Sequence, residues 1–275
     1  MPGTPIDQQI QQPPVVLCAG GHDPAGGAGI IADGEAVRAA GAHAVTLVTC
    51  LTSQDTCGVK SILPQPPELL AEQWRRLVGD SPIAAVKIGL IGSLPLLETI
   101  AGLLPGRGEV PVVIDPVLAS GAGDQFADAA LRRALSAQLL GRCALLTPNV
   151  PEAQALTGQG EPAACAEALL RTGCGAVLIT GTHAEEAAVV NRLYGPNGRC
   201  RAWRWPRLPY QYHGSGCTLA SAVAARLAIG LDLAEAIGQA QTYTWETLLR
   251  ARRTGRCQLT PDRLFGLDTS PAETR

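Results

Sequence analysis

Short apolar runs alternate with alanine- and leucine-rich stretches along most of this chain of 275 residues. The apolar runs have the length of strands, and the alanine- and leucine-rich stretches have the length of helices. Strands that are apolar on both faces form mainly parallel sheets covered by helices, which indicates an α/β fold. We predict strands at 14–19, 44–51, 84–88, 111–114, 143–146 and 175–180, and helices near 29–40, 67–78, 94–104, 127–140, 161–171, 216–229 and 233–250.

The pattern changes at residues 187–205, where two segments of alternating polarity flank the turn sequence at 195–198. Gly-Pro-Asn-Gly between alternating segments is typical of an antiparallel hairpin, which we place at an edge of the sheet. The sequence has no internal repeat, low-complexity tract or linker. We therefore predict one domain over 1–275, with loose ends at 1–13 and about 258–275.

The composition excludes several classes of protein. Hydrophobic residues make up 46% of the chain and charged residues 17%, which argues against disorder. The 22 basic and 24 acidic residues nearly balance, so we expect neither nucleic acid nor an anionic membrane as a partner. No apolar run reaches the roughly 18 residues of a membrane span. The start of the chain lacks the apolar core of a signal peptide, and we predict a cytoplasmic protein.

The nine cysteines are spread along the chain without C-x-x-C spacing. We interpret them as small buried hydrophobic residues in a reducing compartment. The four histidines show no ligand spacing with each other or with a cysteine, so the sequence does not predict a structural zinc site.

The strongest local signal is a turn of small residues, Gly214, Ser215 and Gly216, that leads Cys217 into an alanine-rich helix. Backbone N–H groups at a helix N-terminus are unpaired and attract anions, so this turn is a candidate phosphate cradle. A thiolate beside it would be stabilised by the helix dipole, and we predict a Cys217 pKa below about 8.5. Such a thiolate could accept the proton of a hydroxyl that attacks a γ-phosphate.

A glycine-rich loop follows the first strand. Its segment 27–32 fits the dinucleotide fingerprint G-x-G-x-x-A, but the glycines begin several residues after the strand, beyond Pro24. The nearest acidic candidate, Asp55, also lies past the end of the second strand. We instead expect the loop to close over a small substrate. Asp33 would then bind a polar ligand group or be a solvated acid in the first helical turn, and Gln54 offers an amide donor and acceptor.

Further polar residues follow the later strands, and ligands bind at the carboxyl ends of strands in such sheets. Asp115 ends a buried strand and is suited to hold Mg²⁺ or a phosphate-linked water. Asn149 is either a helix cap, with Glu152 in the first turn, or part of a Mg²⁺–nucleotide site with it. Thr180 begins another small polar turn at the same edge.

Taken together, these loops resemble the ribokinase-fold vitamin kinases, specifically the bacterial hydroxymethylpyrimidine/phosphomethylpyrimidine kinases of thiamine biosynthesis. The resemblance extends from about Val15 to Leu249. It is carried by the motifs Ala19–Ile30, Asp33, Gln54 in Thr52–Thr56, Lys87–Leu90, Asp115–Val117, Thr147–Glu152 and His213–Leu219.

The resemblance implies a three-layer α/β/α sandwich and an enzyme that uses MgATP to phosphorylate 4-amino-5-hydroxymethyl-2-methylpyrimidine twice. Asp33 and Gln54 would bind the aminopyrimidine edge. The ring would be walled by Gly21, Ala28, Leu90 and Val117. Gly214, Ser215 and Gly216 would form the anion hole, with Cys217 as base where the sugar kinases of this fold use aspartate. The Mg²⁺ ion and the phosphates would be organised by Asp115, Asn149 and Glu152, and the resemblance suggests a homodimer.

The chain departs from the family pattern at three places. Thr180 stands where many members have a lysine that contacts phosphate, Leu90 replaces a common methionine, and the segment 118–124 lacks another frequent lysine. The phosphate end therefore has fewer cations than the family pattern implies. Three alternatives stay open: a pyridoxal kinase, a catalytically silent ligand-binding protein on the same fold, and a nicotinamide-dependent oxidoreductase.

Overall fold

The computed structural model describes residues 12–119, 123, 126–181 and 188–266. Its strands are β1 Val15–His22, β2 His43–Asp55, β3 Gly58–Pro64, β4 Ile83–Ile88, β5 Val112–Ile114, β6 Leu145–Leu146, β7 Val177–Ile179, β8 Ala188–Tyr194 and β9 Cys200–Pro206. They form one nine-stranded sheet in the order β3-β2-β1-β4-β5-β6-β7-β8-β9. Strands β2, β1, β4, β5, β6 and β7 pair in parallel. The antiparallel pairs are β2–β3, β7–β8 and β8–β9, so both edges of the sheet are antiparallel.

The helices are α1 Gly29–Ala39, α2 Pro67–Asp80, α3 Leu94–Leu103, α4 Ala129–Ala134, α5 Val150–Thr157, α6 Pro162–Arg171, α7 Ser215–Ala228 and α8 Leu233–Leu249. Helices α1 to α6 lie between successive strands of the sheet, and α7 and α8 follow β9. Four of them begin at a side chain that accepts a hydrogen bond from the third helical residue: Ser93, Asp128, Asn149 and Asp232. These caps fix where the helices start relative to the ends of the strands.

The core is divided between the two faces of the sheet, because alternate strand residues point to opposite sides. On one face, α2 to α6 pack over residues such as Leu17 and Ile114. On the other face, α1, α7 and α8 pack over Val16 and Val113. Helix α7 buries a row of alanines at 220, 222, 224 and 225, and its small side chains let its backbone approach the sheet closely. The result is the three-layer sandwich that the resemblance implies.

The predicted strands, helices and edge hairpin are confirmed, with three differences. Strand β2 continues to Asp55, beyond the predicted end at residue 51, so Gln54 and Asp55 lie within the strand and not after it. Strand β3 was not predicted; it pairs with the end of β2 and forms the second edge of the sheet. Its residues are half-buried or exposed, so it lacks the continuous apolar run of the central strands. The helix predicted at 127–140 is shorter, because α4 continues into one π-helical segment, Leu135–Leu139, and one 3₁₀ turn, Leu140–Arg142.

Two further expectations are wrong. Cys57 and Cys257 form a disulfide and Cys200 is exposed, although Cys18, Cys50, Cys143, Cys165 and Cys174 are buried as expected. Residues 258–266 are not a loose end: Leu259 and Arg263 are buried, and Leu259 joins the bridge to Tyr212. No helix in the described part of the chain is long and apolar enough to cross a membrane.

Candidate active site

The turn before α7 is held open by its glycines. Gly214 has a φ of +79°, and a Cβ there would collide with the carbonyl oxygen of Gly27 and lie 2.9 Å from Cα of Ala28. A Cβ on Gly216 would meet only Asp115, 3.6 Å from Oδ2. Because the first N–H groups of a helix lack partners within the helix, the turn presents donors toward the space beside Asp115. The turn therefore has the unpaired backbone donors that the predicted anion cradle requires.

Asp23 and His213 fix the glycine-rich loop against this turn. The Asp23 carboxylate accepts hydrogen bonds from the N–H groups of Ala25 and Ala28, and its Oδ2 lies 2.8 Å from Nε2 of His213. Burial disfavours the charge, but the hydrogen bonds from His213 and the backbone outweigh it and hold the Asp23 pKa below its usual value. Sequence reasoning missed this pair, because 190 residues separate its members.

A cavity of about 190 Å³ lies between these two loops. Its wall includes four residues that the sequence assigned to a ring pocket: Gly21, Ala28, Leu90 and Val117. Gln54, near the end of β2, also lines the cavity. The wall is completed by Thr52 and Phe126, which sequence reasoning had not singled out.

Asp33 does not line this cavity, which corrects the expectation that it would contact the ring directly. Its carboxylate is completely buried behind the wall, where Oδ1 is 2.7 Å from Nζ of Lys87 and accepts a hydrogen bond from Ser221. Oδ2 has no hydrogen-bond partner and would lie 3.4 Å from a Cβ on Gly20. The alternative of a solvated first-turn acid is also wrong.

Lys87 is a buried cation in the wall of the cavity. Its side chain is only 1% exposed, and it lines the cavity at the end of β4. Burial opposes its charge, but Asp33, Cys217 and Asp115 outweigh burial and raise the Lys87 pKa. The ammonium group is therefore charged and faces the residues that surround the anion cradle.

Asp115 and Glu152 are two buried carboxyl groups on the other side of the cradle. Burial raises the pKa of Asp115 to about 6, against the opposing charge of Lys87, and Oδ2 of Asp115 has no partner. Burial and then the charge of Asp115 raise the pKa of Glu152 to about 8. Asn149 and Glu152 cap α5 reciprocally, so the capping interpretation is confirmed while both residues also line the cavity.

Cys217 is partly exposed where it lines the cavity, but its thiol group is enclosed by the site, and its predicted low pKa is wrong. Burial raises the pKa of its thiol to about 12, and neither Lys87 nor the backbone N–H of Gly29 lowers it enough to compensate. The thiol lies beside Asp115 and lowers the pKa of that carboxyl group, although burial outweighs this effect. At neutral pH the ligand-free site therefore holds a neutral thiol beside a carboxylate, not a thiolate.

A second cavity, of about 450 Å³, adjoins the first. The two cavities meet at the N-terminus of α7, because six residues line both of them. They are Asn149, Thr180, Tyr212, Ser215, Gly216 and Leu219. The outer wall of the second cavity contains Trp205 and Trp245, whose rings stack with centroids 6.1 Å apart. Thr182 and His183 of the predicted polar turn, and most of segment 118–124, lie outside the described residues.

The end of the chain braces this site. Arg263 donates hydrogen bonds to the carbonyl oxygen of Gly27, to Oγ1 of Thr218 at 2.7 Å and to Glu35 at 3.0 Å. It thereby connects the glycine-rich loop with the first turn of α7. Its position was not predictable, because no local pattern distinguishes it from an exposed arginine.

Comparison with known proteins identifies the family of this chain. The family model for phosphomethylpyrimidine kinase matches residues 23–261. The chain belongs to the phosphomethylpyrimidine kinase family. It is a phosphotransferase, and the nicotinamide-dependent alternative is not supported.

Several members of the family are similar over most of the chain. A hydroxymethylpyrimidine/phosphomethylpyrimidine kinase of Streptomyces coelicolor is 37% identical over 238 residues, which is 84% of this chain and 87% of that protein. The protein of the same name from Escherichia coli is 32% identical and covers 86% of this chain and 91% of its own length.

Solved structures show the same fold. The phosphomethylpyrimidine kinase of Clostridium difficile matches with a TM-score of 0.74 at 29% identity and covers 86% of this chain and 100% of its own. The pyridoxal kinase of Bacillus subtilis, solved as an ADP complex, matches with a TM-score of 0.83 at 24% identity and covers 94% of this chain and 100% of its own.

Proposed function

We propose that this protein phosphorylates 4-amino-5-hydroxymethyl-2-methylpyrimidine with ATP, and then phosphorylates the monophosphate to the diphosphate, in thiamine biosynthesis. The observation that carries the proposal is the meeting of two cavities at the N-terminus of α7. The inner one, of about 190 Å³, suits a single substituted ring, and the outer one, of about 450 Å³, suits a nucleotide. The anion cradle of Gly214, Ser215 and Gly216 stands where the two ligands would exchange a phosphoryl group.

The inner cavity provides polar and apolar contacts for the ring. Gln54 offers its amide donor and acceptor to the aminopyrimidine edge, while Leu90 and Val117 cover the ring faces. Asp33 acts indirectly, because its carboxylate holds the ammonium group of Lys87 in place. Lys87 is then directed at the phosphate end of the site and replaces, in our proposal, the lysines that the family pattern places elsewhere.

The carboxylates fit a magnesium ion. Oδ2 of Asp115 is a hard oxygen donor without a protein partner, so Asp115 would be the main ligand. Glu152 lines the same cavity, and its two oxygens accept hydrogen bonds from the N–H groups of Leu118 and Asn149. No described group of three or more such side chains is arranged to hold a metal by itself, which suits an ion bound mainly through phosphates and water. When bound, Mg²⁺ would neutralise phosphate charge. Asn149 and Thr180 would contact the phosphates.

The two phosphorylation steps make different demands on Cys217. In the first step the hydroxymethyl O–H bond breaks as the new O–P bond forms, and the sulfur of Cys217 would accept that proton. The thiol would first pass its own proton to the carboxylate of Asp115 beside it, and the resulting thiolate would then accept the proton of the hydroxyl group. In the second step the attacking phosphate is already anionic and needs no strong base.

Product analysis tests the proposal directly. With MgATP and the hydroxymethylpyrimidine, mass spectrometry should detect the monophosphate first and then the diphosphate. A higher kcat/KM for pyridoxal would instead favour the vitamin B6 alternative. If pyrimidine binds and stabilises the protein but no ADP forms, the protein is a silent ligand-binding member of the fold.

A Cys217→Ala variant separates the roles in the two steps. We expect the first phosphorylation to fall by about 10²–10⁴-fold, as for loss of a general base, and the second to fall much less. Rates are measured separately with the hydroxymethylpyrimidine and with its monophosphate as substrate. Equal losses in both steps would show that Cys217 is not the base.

A cytoplasmic location and a homodimer stay predictions. Cell fractionation tests the first, and light scattering after size-exclusion chromatography tests the second.

A further inference from the structure

The outer cavity contains a glutamine whose orientation the surrounding hydrogen bonds determine. The N–H of Gly181 donates to Oδ1 of Asn191 at 3.0 Å, so the Asn191 amide must present its Nδ2 on the other side. That Nδ2 donates to Oε1 of Gln241 at 2.8 Å, and the indole N–H of Trp205, which can only donate, reaches the same oxygen at 3.1 Å. The oxygen of Gln241 is thus committed to two donors.

The remaining polar atom of this amide has nothing to bind. Nε2 of Gln241 has no hydrogen-bond partner, and the residue is only 2% exposed. The residue nevertheless lines the outer cavity. Buried donors are nearly always paired in folded proteins, so an unpaired one beside a cavity indicates a ligand that supplies an acceptor. Thr244, on the same wall, donates to the carbonyl oxygen of Ala240 and does not share this property.

We propose that Gln241 determines nucleotide specificity by donating a hydrogen bond from Nε2 to a ring nitrogen of the adenine base of ATP. This rests on the proposed function, which places the nucleotide in the outer cavity. Ser215 and Gly216 line the inner end of that cavity, so the phosphates lie at the cradle and the base at the opposite wall. The stacked pair Trp205 and Trp245 offers a flat apolar surface for the base beside Gln241.

Gln241→Glu is the informative variant. A carboxylate keeps an oxygen for the donors of Asn191 and Trp205, but it replaces the free donor by an acceptor. The matched control is Gln239→Glu, which adds the same charge on the same helix at an exposed residue that bonds to Glu235. We expect Gln241→Glu to weaken ATP binding by at least about 10-fold and to leave pyrimidine binding unchanged, while Gln239→Glu leaves both unchanged.

Three ATP analogues identify the hydrogen bond itself. In each, a C–H group replaces N1, N3 or N7 of adenine, and dissociation constants are measured by titration calorimetry. The wild-type protein should bind one analogue about 3- to 10-fold more weakly than ATP, and Gln241→Glu should no longer distinguish that analogue from ATP.

Three results would overturn the inference. If the wild-type protein binds ATP but does not distinguish any analogue, or if Gln241→Glu keeps the discrimination, Gln241 does not read the base, and the proposed function is unaffected. If the wild-type protein does not bind ATP at all, the proposed function and this inference fail together.

Discussion

Lys87 lies at the end of β4 with its ammonium group almost completely removed from water. A buried charge without a partner is very costly, and Asp33 provides the partner at 2.7 Å. Its neighbours in the strand are apolar, so the sequence around Lys87 reads as an ordinary buried strand. The motif that contains it was recognised, but its pairing with Asp33 was not, because the contact joins residues 54 positions apart.

Removing the ammonium group should expose the cost of this burial. We expect Lys87→Met to lower the free energy of unfolding by about 3–5 kcal/mol, because Asp33 would be left as an unpaired buried charge. The matched control is Lys60→Met, at an exposed lysine. This substitution should change the free energy of unfolding by less than about 0.5 kcal/mol. Urea unfolding curves give both values.

The double variant Asp33→Asn, Lys87→Met completes this test. It should recover part of the lost stability, since no unpaired charge is left, but it should not recover phosphoryl transfer. Similar unfolding curves for Lys87→Met and Lys60→Met would contradict the importance of the pair. Full activity in the double variant would contradict the phosphate role of Lys87.

The thiol of Cys217 should be unreactive in the folded protein. Since burial raises its pKa to about 12, the thiolate fraction at pH 8 is about 10⁻⁴, and it rises about tenfold with each unit of pH. Cys200 is free and exposed, so it serves as the internal control. We expect iodoacetamide at pH 8 to modify Cys200 first and Cys217 only after unfolding, as read by peptide mass spectrometry. Preferential labelling of Cys217 would instead support the low pKa that the helix N-terminus suggested.

Among the elements, α7 was predicted most fully and contributes most to the site. Its start follows from the small residues of the turn, and its burial follows from its alanines, both of which are local signals. The start of α5 was also readable, because Asn149 and Glu152 have capping-box spacing. Strand β3 was not readable, since its short half-exposed segment is stabilised by pairing with β2 and not by a local pattern.

Glycine substitutions around the start of α7 should separate folding from phosphate binding. Gly216→Ala places a methyl 3.6 Å from Asp115, an ordinary contact, so stability should be unchanged. The methyl would project between the cradle and Asp115, and we expect kcat/KM to fall by about 10²–10³-fold, as for the loss of an oxyanion donor. Normal activity in Gly216→Ala would mean that the phosphate does not bind there.

Gly214→Ala should behave differently from a matched glycine at the other end of the helix. Gly214 and Gly230 both have a left-handed φ, but a Cβ on Gly214 collides with the backbone of the glycine-rich loop, whereas one on Gly230 has no atom within 4 Å. Gly214→Ala should therefore lower the melting temperature more than Gly230→Ala, whose cost is the backbone strain of about 1–2 kcal/mol alone. Equal melting temperatures would contradict the collision.

At the scale of the whole molecule, the last described segment connects parts of the chain that are far apart in sequence. Leu259 accepts a hydrogen bond from the N–H of His213, Gln258 donates one to Thr56, and Arg263 reaches Gly27. The sequence predicted the layers of the fold, because they depend on local patterns, and the family resemblance predicted residues that line the inner cavity. The long-range contacts depend on the assembled fold, which is why the chain after residue 258 was expected to be loose.

The disulfide between Cys57 and Cys257 connects the tip of the β2–β3 hairpin, close to Gln54, with this last segment. It closes a loop over a sequence separation of 200 residues, so it greatly restricts the unfolded chain. We expect the double variant Cys57→Ser, Cys257→Ser to lower the free energy of unfolding by about 2–4 kcal/mol, and Cys200→Ser to leave it unchanged. Guanidinium unfolding measures both values. Dithiothreitol should lower the stability of the wild-type protein, which has the disulfide, and should not change that of the double variant, which lacks it. Because Gln54 lines the inner cavity, the double variant should also bind the pyrimidine more weakly. If unfolded protein that has not been reduced contains nine reactive thiols, the disulfide does not form. The hairpin would then lack this restraint.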